Sequence, residues 1–177
     1  MKKMIAILLA MILLLSIGCV SAEDGKTQLG VLNVNGAFEI RCKIPDGYAL
    51  NIDEATTTQI IARIESNDEA KPVMKLTVAF DELMSEVERL NDIDENSLKA
   101  IEATFLEEDD VSISYRYTSY GTKLLVAELE NQYVDFYTIY KGFGVEFLLI
   151  PGTEPLNDSQ IDMVISFLSD MDFVSAE

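Results

Sequence analysis

The chain has no histidine among its 177 residues, and this absence limits the chemistry that it can perform. Histidine is the general base of Ser-His-Asp and Cys-His catalysis and a common ligand of zinc and copper. The sequence therefore excludes these catalytic groups and these metal centres. The two cysteines, Cys19 and Cys42, are too few for a thiolate cluster. Any catalysis would have to use carboxylates, lysine, tyrosine or Ser-Lys pairs.

Carboxylates are abundant, with 31 Asp and Glu residues, but their spacing singles out no catalytic pair. Glycoside hydrolysis needs two carboxyl groups at a defined separation, and among so many acids a suitable pair would arise by chance. We therefore assign no catalytic residue and no cofactor. A carboxylate-dependent hydrolase acting on cell-surface polymers is kept as the alternative function.

The spacing Asp92-x-Asp94-x-Asn96 resembles the start of a calcium-binding loop. In an EF-hand the sixth position is Gly and the twelfth is Glu, whereas this chain has Ser97 and Ala103 there. The segment is therefore not an EF-hand. Two interpretations stay open: a weaker divalent-ion site, or acids that flank a helix, the first group being favoured by the helix dipole. The candidate ligands form two groups, Asp92, Asp94 and Glu95, and then Glu107, Glu108, Asp109 and Asp110.

Three tyrosines and an arginine form a candidate surface for a partner: Tyr115, Arg116, Tyr117 and Tyr120. Aromatic rings beside an arginine are typical of protein interfaces. Alternating tyrosines on a strand also pack one face of a sheet, and this alternative applies to Tyr115 and Tyr117. Tyr120 precedes Gly121 in a turn, so we expect it to be the most exposed of the three.

The first residues predict export from a prokaryotic cytoplasm. Lys2 and Lys3 precede an apolar run to Leu15, and small residues follow up to residue 22, as in a secretory signal peptide of residues 1–22. Gly18-Cys19 also resembles a lipobox, which would end a lipoprotein signal at residue 18 and place a lipid on Cys19. Both routes predict a protein that is secreted or lipid-anchored on the extracytoplasmic face of the membrane.

The charge of the chain excludes one class of partner. With 13 Lys and Arg against 31 Asp and Glu, the net charge is −18. Such a charge keeps a protein soluble and repels both nucleic acid and anionic lipid. We expect no binding to nucleic acid, and membrane contact only through a lipid on Cys19.

The pattern of apolar residues predicts eight strands before the last helix. Asn35-Gly36 is typical of a tight hairpin, and Gly and Asn turns separate the later strands into an antiparallel meander. The predicted strands pair as 31–34 with 37–44 and 60–64 with 73–80, and the meander comprises 111–118, 123–130, 134–140 and 145–150. The hydrophobic periodicity predicts helices over 82–90, around 98–105 and over 159–171.

Both faces of two meander strands are apolar, in Leu124–Ala127 and in Phe147–Ile150. Strands of this kind are covered on both sides. The sequence therefore predicts an α+β fold in which helices sandwich an antiparallel sheet, an α/β/α arrangement. We expect a tether at 23–28 and a single domain at 29–177. Cys42 alternates with Phe38, Ile40 and Ile44, which predicts a buried thiol in the sheet core.

The segment Phe38-x-Ile40, followed by Ile44-Pro45-x-Gly47-Tyr48, resembles the opening of the PsbP-like superfamily. The closing Ile165-Ser166-Phe167 is similar to that family's C-terminal helix. The resemblance implies an antiparallel sheet between helices, an extracytoplasmic location and an accessory, non-catalytic role on larger assemblies. Tyr48 stands where the family usually has Trp, and the absence of histidine prevents the transfer of any family metal site that relies on it.

These observations together favour an extracytoplasmic, non-catalytic accessory or binding domain. Its partner is an envelope protein or a ligand that the sequence does not identify. The hydrolase alternative would require a deep pocket holding two acids with raised pKa values. An exposed apolar or aromatic patch without such a pocket would favour the binding domain.

Overall fold

A computed structural model of the protein describes residues 25–33, 37–106 and 110–175. Within these ranges the chain forms ten strands, and the bounds of the first five are β1 Thr27–Asn33, β2 Ala37–Cys42, β3 Ala49–Ala55, β4 Gln59–Glu65 and β5 Val73–Phe80. The other five are β6 Ser112–Tyr117, β7 Lys123–Leu129, β8 Tyr133–Tyr140, β9 Phe143–Ile150 and β10 Asp172–Ser175. The helices are α1 Glu95–Phe105 and α2 Asp158–Asp170, and two short 3-10 turns, η1 Glu82–Met84 and η2 Leu90–Asp92, precede α1.

The strands form two antiparallel sheets. Seven strands lie in the order β3-β4-β5-β9-β8-β7-β6, and the other three lie in the order β1-β2-β10. The predicted meander is confirmed, because β6, β7, β8 and β9 are successive neighbours. The predicted pairs β1–β2 and β4–β5 are confirmed as well. The Asn35-Gly36 turn itself lies outside the described residues.

The main core lies between the two sheets. The inner face of the seven-stranded sheet packs against the three-stranded sheet and against the apolar stripe of α2. Phe136 and Phe147 from the large sheet are fully buried there, as is Cys42 from β2. The predicted burial of Cys42 among Phe38, Ile40 and Ile44 is confirmed.

A smaller apolar cluster lies on the outer face of the seven-stranded sheet. There α1 and the two 3-10 turns cover the outward side chains of β6, β7 and β8, including the buried Leu125 and Ile139. None of the outward residues of β4 and β5 is buried. The outer face thus has a covered half and an open half.

The predicted α/β/α sandwich is wrong, because the fold is mostly β, with sheets of three and seven antiparallel strands and two helices in the described chain. The inference failed because a second sheet can bury the face of a strand as completely as a helix can. The segment 82–90 was predicted as a helix but forms the 3-10 turn η1, a further turn and an extended residue, Arg89, before η2. The strands β3 and β10 were not predicted.

The two remaining helices agree with the sequence. Asp94 caps α1, its carboxylate accepting hydrogen bonds from the backbone N–H groups of Asn96 and Ser97. A capping box of Asn157 and Gln160 begins α2. In the described part of the chain, neither helix is long and apolar enough to cross a bilayer. The predicted signal peptide, with Cys19, lies outside the described residues, and β1 begins at Thr27, within the predicted tether.

Candidate functional site

A groove lies on the covered half of the outer face, between η1, α1 and the strands β8 and β9. Its volume is about 730 Å³. Its apolar lining includes Met84, Val87, Ile101, Phe105 and Tyr137. Four carboxylates of the described chain line it as well, and none of its described lysines or arginines does: Asp81, Asp92, Asp94 and Glu146. We call this feature the acidic groove.

Local sequence explains how one wall of the acidic groove is built. The carboxylate of Asp81 accepts a hydrogen bond of 2.9 Å from the backbone N–H of Leu83 and thereby caps the turn η1. The turn leaves the Leu83 side chain 90% exposed. A leucine exposed to this degree gains nothing from the protein core, although it borders an apolar groove.

The floor of the groove contains two aromatic rings, one of which carries the hydroxyl group of Tyr137. The rings of Phe105 and Tyr137 lie 5.9 Å apart. Burial raises the pKa of Tyr137 to about 12, and the negative charges of Asp81 and Glu146 add to this effect. Tyr137 is therefore neutral at physiological pH, and the charge of the groove comes from its carboxylates.

Two of the four groove carboxylates are engaged within the fold and two are not. Asp81 and Asp94 cap η1 and α1, and hydrogen bonds from Ser97 hold the pKa of Asp94 below its usual range. Asp92 and Glu146 accept no side-chain hydrogen bond and form no ion pair with any described residue. The latter two carboxylates are free to meet a ligand.

A second cavity, more enclosed than the groove, lies at the end of α2 where the two sheets meet. Its volume is about 330 Å³. Leu124, Val145 and Phe173 contribute apolar surface, and the buried Thr118, Thr122 and Thr138 contribute polar atoms. Four charged residues also line it: Lys26, Arg89, Asp170 and Asp172. We call this feature the inter-sheet cavity.

The structure places the four residues of the predicted partner surface in different surroundings. Tyr115 packs in the cluster under α1, and its hydroxyl donates a hydrogen bond to the Glu102 carboxylate. Burial raises the pKa of Tyr115 to about 12, with the Glu102 hydrogen bond adding. Tyr117 is 56% exposed, and Arg116 lies on the opposite face of β6. Tyr120 is 74% exposed and lines the inter-sheet cavity.

The predicted divalent-ion ligands are brought together only in part. Asp92 and Asp94 both line the acidic groove, whereas Glu95 forms an ion pair of 2.6 Å with Lys99 on α1. Glu107, Glu108 and Asp109 lie outside the described residues. Among the residues that are described, no group of three or more Cys, Asp or Glu is arranged to hold a metal ion.

Among the described residues, Asp135 is the one that has a buried side-chain oxygen without a hydrogen-bond partner. It lies on the outer face of β8, is 8% exposed, and its Oδ1 atom has no partner in the described structure. Burial raises its pKa to about 7, and the charge of Glu146 adds to this. Asp135 lines neither the groove nor the inter-sheet cavity. Its buried Oδ1 cannot reach a substrate in this conformation.

Several of these residues were not found from the sequence. Asp135 and Glu146 had a visible signal, since each is the only charged residue in its strand. Arg89 and Asp170 had none, because residues 81 positions apart meet at one cavity only through the fold. The apolar floor of the groove was concealed for a similar reason, since its residues come from three separate segments.

The resemblance to the PsbP-like superfamily rests on the sequence motifs alone. No protein-family model, no curated protein and no solved structure matches the chain.

Proposed function

We propose that this protein is an extracytoplasmic, non-catalytic binding domain whose acidic groove takes a cationic partner segment that carries apolar side chains. The observation that carries the proposal is a groove of about 730 Å³ with an apolar floor, which the described residues line with four carboxylates and no cationic side chain. The N-terminal signal pattern supports the location outside the cytoplasm.

The carboxylates and apolar residues of the groove indicate the chemistry of the partner. The free carboxylates of Asp92 and Glu146 repel anions, and their field attracts a lysine or arginine side chain. Apolar side chains of the same segment would cover Met84, Ile101 and Phe105, removing their accessible surface from water. A segment with both features would contact the carboxylates and the apolar floor together. A purely polar cation would contact only the carboxylates.

The hydrolase alternative finds less support. It requires two carboxyl groups of different pKa at one accessible site. Among the acids of the described residues, Asp135 alone has a pKa raised towards neutrality, and it lines neither cavity. The four described acids that line the groove, Glu146 among them, are not buried, so none is desolvated as the general acid of a hydrolase is. The binding function therefore agrees with more of the observed geometry than the hydrolase function does.

A short amphipathic Lys/Leu peptide, titrated by calorimetry, tests the proposal. We expect saturable binding, weakened by salt because the charges at the rim are exposed. A peptide with Glu in place of Lys should not bind. A peptide with Ser in place of Leu should bind much more weakly, because it cannot cover the apolar floor.

A pair of double variants separates the groove from the overall charge. Asp92→Asn with Glu146→Gln removes the two free groove carboxylates and leaves the helix caps intact. Glu54→Gln with Glu69→Gln makes the same change of charge at two exposed residues outside the groove. We expect the first variant to bind the Lys/Leu peptide about tenfold more weakly and the second to bind within about twofold of the wild type. Equal losses in both would contradict the proposal.

A further inference from the structure

The inter-sheet cavity holds two charged groups of opposite sign that the proposed function does not use. The guanidinium of Arg89 forms no ion pair with any described residue, and neither does the carboxylate of Asp170. The other two charged residues of the cavity are already matched, since Lys26 Nζ lies 2.6 Å from Asp172 Oδ2. The cavity therefore has one cation and one anion without partners among the described residues.

The end of α2 strengthens the preference for a cation beside Asp170. Leu168, Ser169 and Asp170 belong to the last turn of α2, and all three line the cavity. This turn contains no basic residue. The final carbonyl groups of a helix lack intrahelical partners and carry partial negative charge. An ammonium group at this end of the cavity would meet both the carboxylate and the helix terminus.

Arg89 supplies the complementary contact for an anion. A guanidinium presents several N–H donors in a plane and pairs well with a carboxylate. Arg89 reaches the cavity from the chain just before η2, where it forms an isolated bridge with Tyr140 of β8. This bridge fixes the backbone of Arg89 to the large sheet. The Arg89 side chain thus extends from a fixed backbone position beside the cavity.

The remaining surface of the cavity suits a small apolar group. The rings of Tyr140 and Phe173 lie 4.6 Å apart, and both residues line the cavity with Leu124 and Val145. The volume of about 330 Å³ is at the lower end of the range for small-molecule sites. It fits a compact ligand rather than a folded segment of chain.

We infer that the inter-sheet cavity binds a small zwitterion with an apolar side chain, of the class of a free hydrophobic α-amino acid. The ligand carboxylate pairs with Arg89, its ammonium group with Asp170 and the end of α2, and its side chain contacts the aromatic wall. This inference does not depend on the acidic groove, and its test leaves the groove unchanged.

Three related probes test which ligand charges the cavity requires: L-phenylalanine, L-phenylalaninamide and 3-phenylpropionate. The amide lacks the carboxylate and the propionate lacks the ammonium group, while all three keep the ring. Backbone amide shifts of the full-length protein report binding. We expect L-phenylalanine to bind saturably at about millimolar concentration and the other two to bind about tenfold more weakly. The absence of saturable binding of L-phenylalanine, or equal affinity for the three probes, would overturn the inference.

Two variants assign each ligand charge to a residue. Arg89→Gln should weaken L-phenylalanine about tenfold and leave the affinity for L-phenylalaninamide unchanged, because that probe has no carboxylate. Asp170→Asn should weaken L-phenylalanine and leave 3-phenylpropionate unchanged. Arg116→Gln is the matched control, because Arg116 is exposed and does not line the cavity. A loss in the Arg116 variant equal to that in the Arg89 variant would contradict the assignment.

Discussion

The two halves of the outer face of the seven-stranded sheet neutralise their charges differently. On the open half, the guanidinium of Arg63 lies between Asp53 and Glu65, at 2.7 Å and 2.8 Å from their carboxylates. On the covered half, the part of the acidic groove that the structure describes has four carboxylates and no cation in its lining. On the open half these acids are thus paired within the fold, whereas on the covered half Asp92 and Glu146 form no ion pair with any described residue.

A row of paired residues crosses this boundary. From β4 to β6 it changes from charged to apolar, with Asp135 on the covered side: Arg63, Lys75, Leu148, Asp135, Ala127 and Ile113. Asp135 is buried, like the residues of the covered half, but its side chain is ionisable, like those of Arg63 and Lys75 on the open half. The comparison teaches that burial, rather than the number of acids, decides where a carboxylate becomes costly.

The largest expected effect comes from Asp135→Asn. The carboxyl pKa is about 7 in the folded protein against 3.8 for the ordinary group, so the folded state keeps a proton that the unfolded state has released. The stability of the wild type should therefore fall as pH rises between these two values, by about 4 kcal/mol in total at 1.4 kcal/mol per unit. The Asn variant lacks this loss and should be more stable at pH 8, with little difference near pH 4. Urea denaturation at both pH values measures this.

Asp53→Asn, on the open half, should show the opposite sign. The hydrogen bond from Arg63 holds the pKa of Asp53 below its usual range, so its charge stabilises the fold above the ordinary pKa. This contribution is lost as pH falls, and it is small because the pair is exposed. The Asn variant should be slightly less stable at pH 8. Two variants with the same pH dependence would contradict the contrast between the halves.

A second comparison uses two aliphatic residues in another row of the outer face. Leu125 on the covered half is fully buried, whereas Ile61 on the open half is only partly buried. Leu125→Ala should destabilise the protein by about 3 kcal/mol, because it removes buried methyl groups and leaves a cavity. Ile61→Ala should cost less than half of that. Denaturant midpoints of the two variants measure the difference, and equal losses would show that the open half is covered in solution.

The smallest expected effect on stability comes from Leu83→Ser. The Leu83 side chain is 90% exposed, so the change in unfolding free energy should stay within about 0.5 kcal/mol. Affinity for the Lys/Leu peptide should nevertheless fall, because Leu83 lines the groove. Ile150→Ser, at an exposed apolar residue of β9 outside the groove, is the control and should leave peptide affinity unchanged. Unchanged affinity in the Leu83 variant would remove this residue from the site.

Sequence patterns predicted correctly those features that depend on residues close together in the chain. The alternation around Cys42 and the turns of the meander each depend on residues close in sequence, and each was predicted correctly. Pairing between β5 and β9 joins segments about 70 residues apart, with no signal in either strand alone. The layer arrangement depends on such pairing, so the prediction of helices on both sides failed.

The candidate site was less predictable than the fold. Asp92 and Asp94 were singled out as possible ion ligands, and they do lie together in the groove. Their neighbour Glu146 comes from β9 and was missed, because only the sheet register brings it near η1 and α1. The segment 82–90 has apolar residues at helical spacing, yet Asp81 begins a 3-10 turn that exposes Leu83. That turn creates the wall of the groove.

The most direct test of the acidic groove is to locate the peptide on the protein. Backbone amide shifts recorded during titration with the Lys/Leu peptide report each strand and helix separately. We predict that the largest changes occur in residues 81–105 and around Tyr137 and Glu146, with residues 49–65 of the open half unaffected. Changes spread evenly over both halves, or concentrated on residues 49–65, would contradict the account. They would show that the net charge of the protein, rather than the groove, attracts the Lys/Leu peptide.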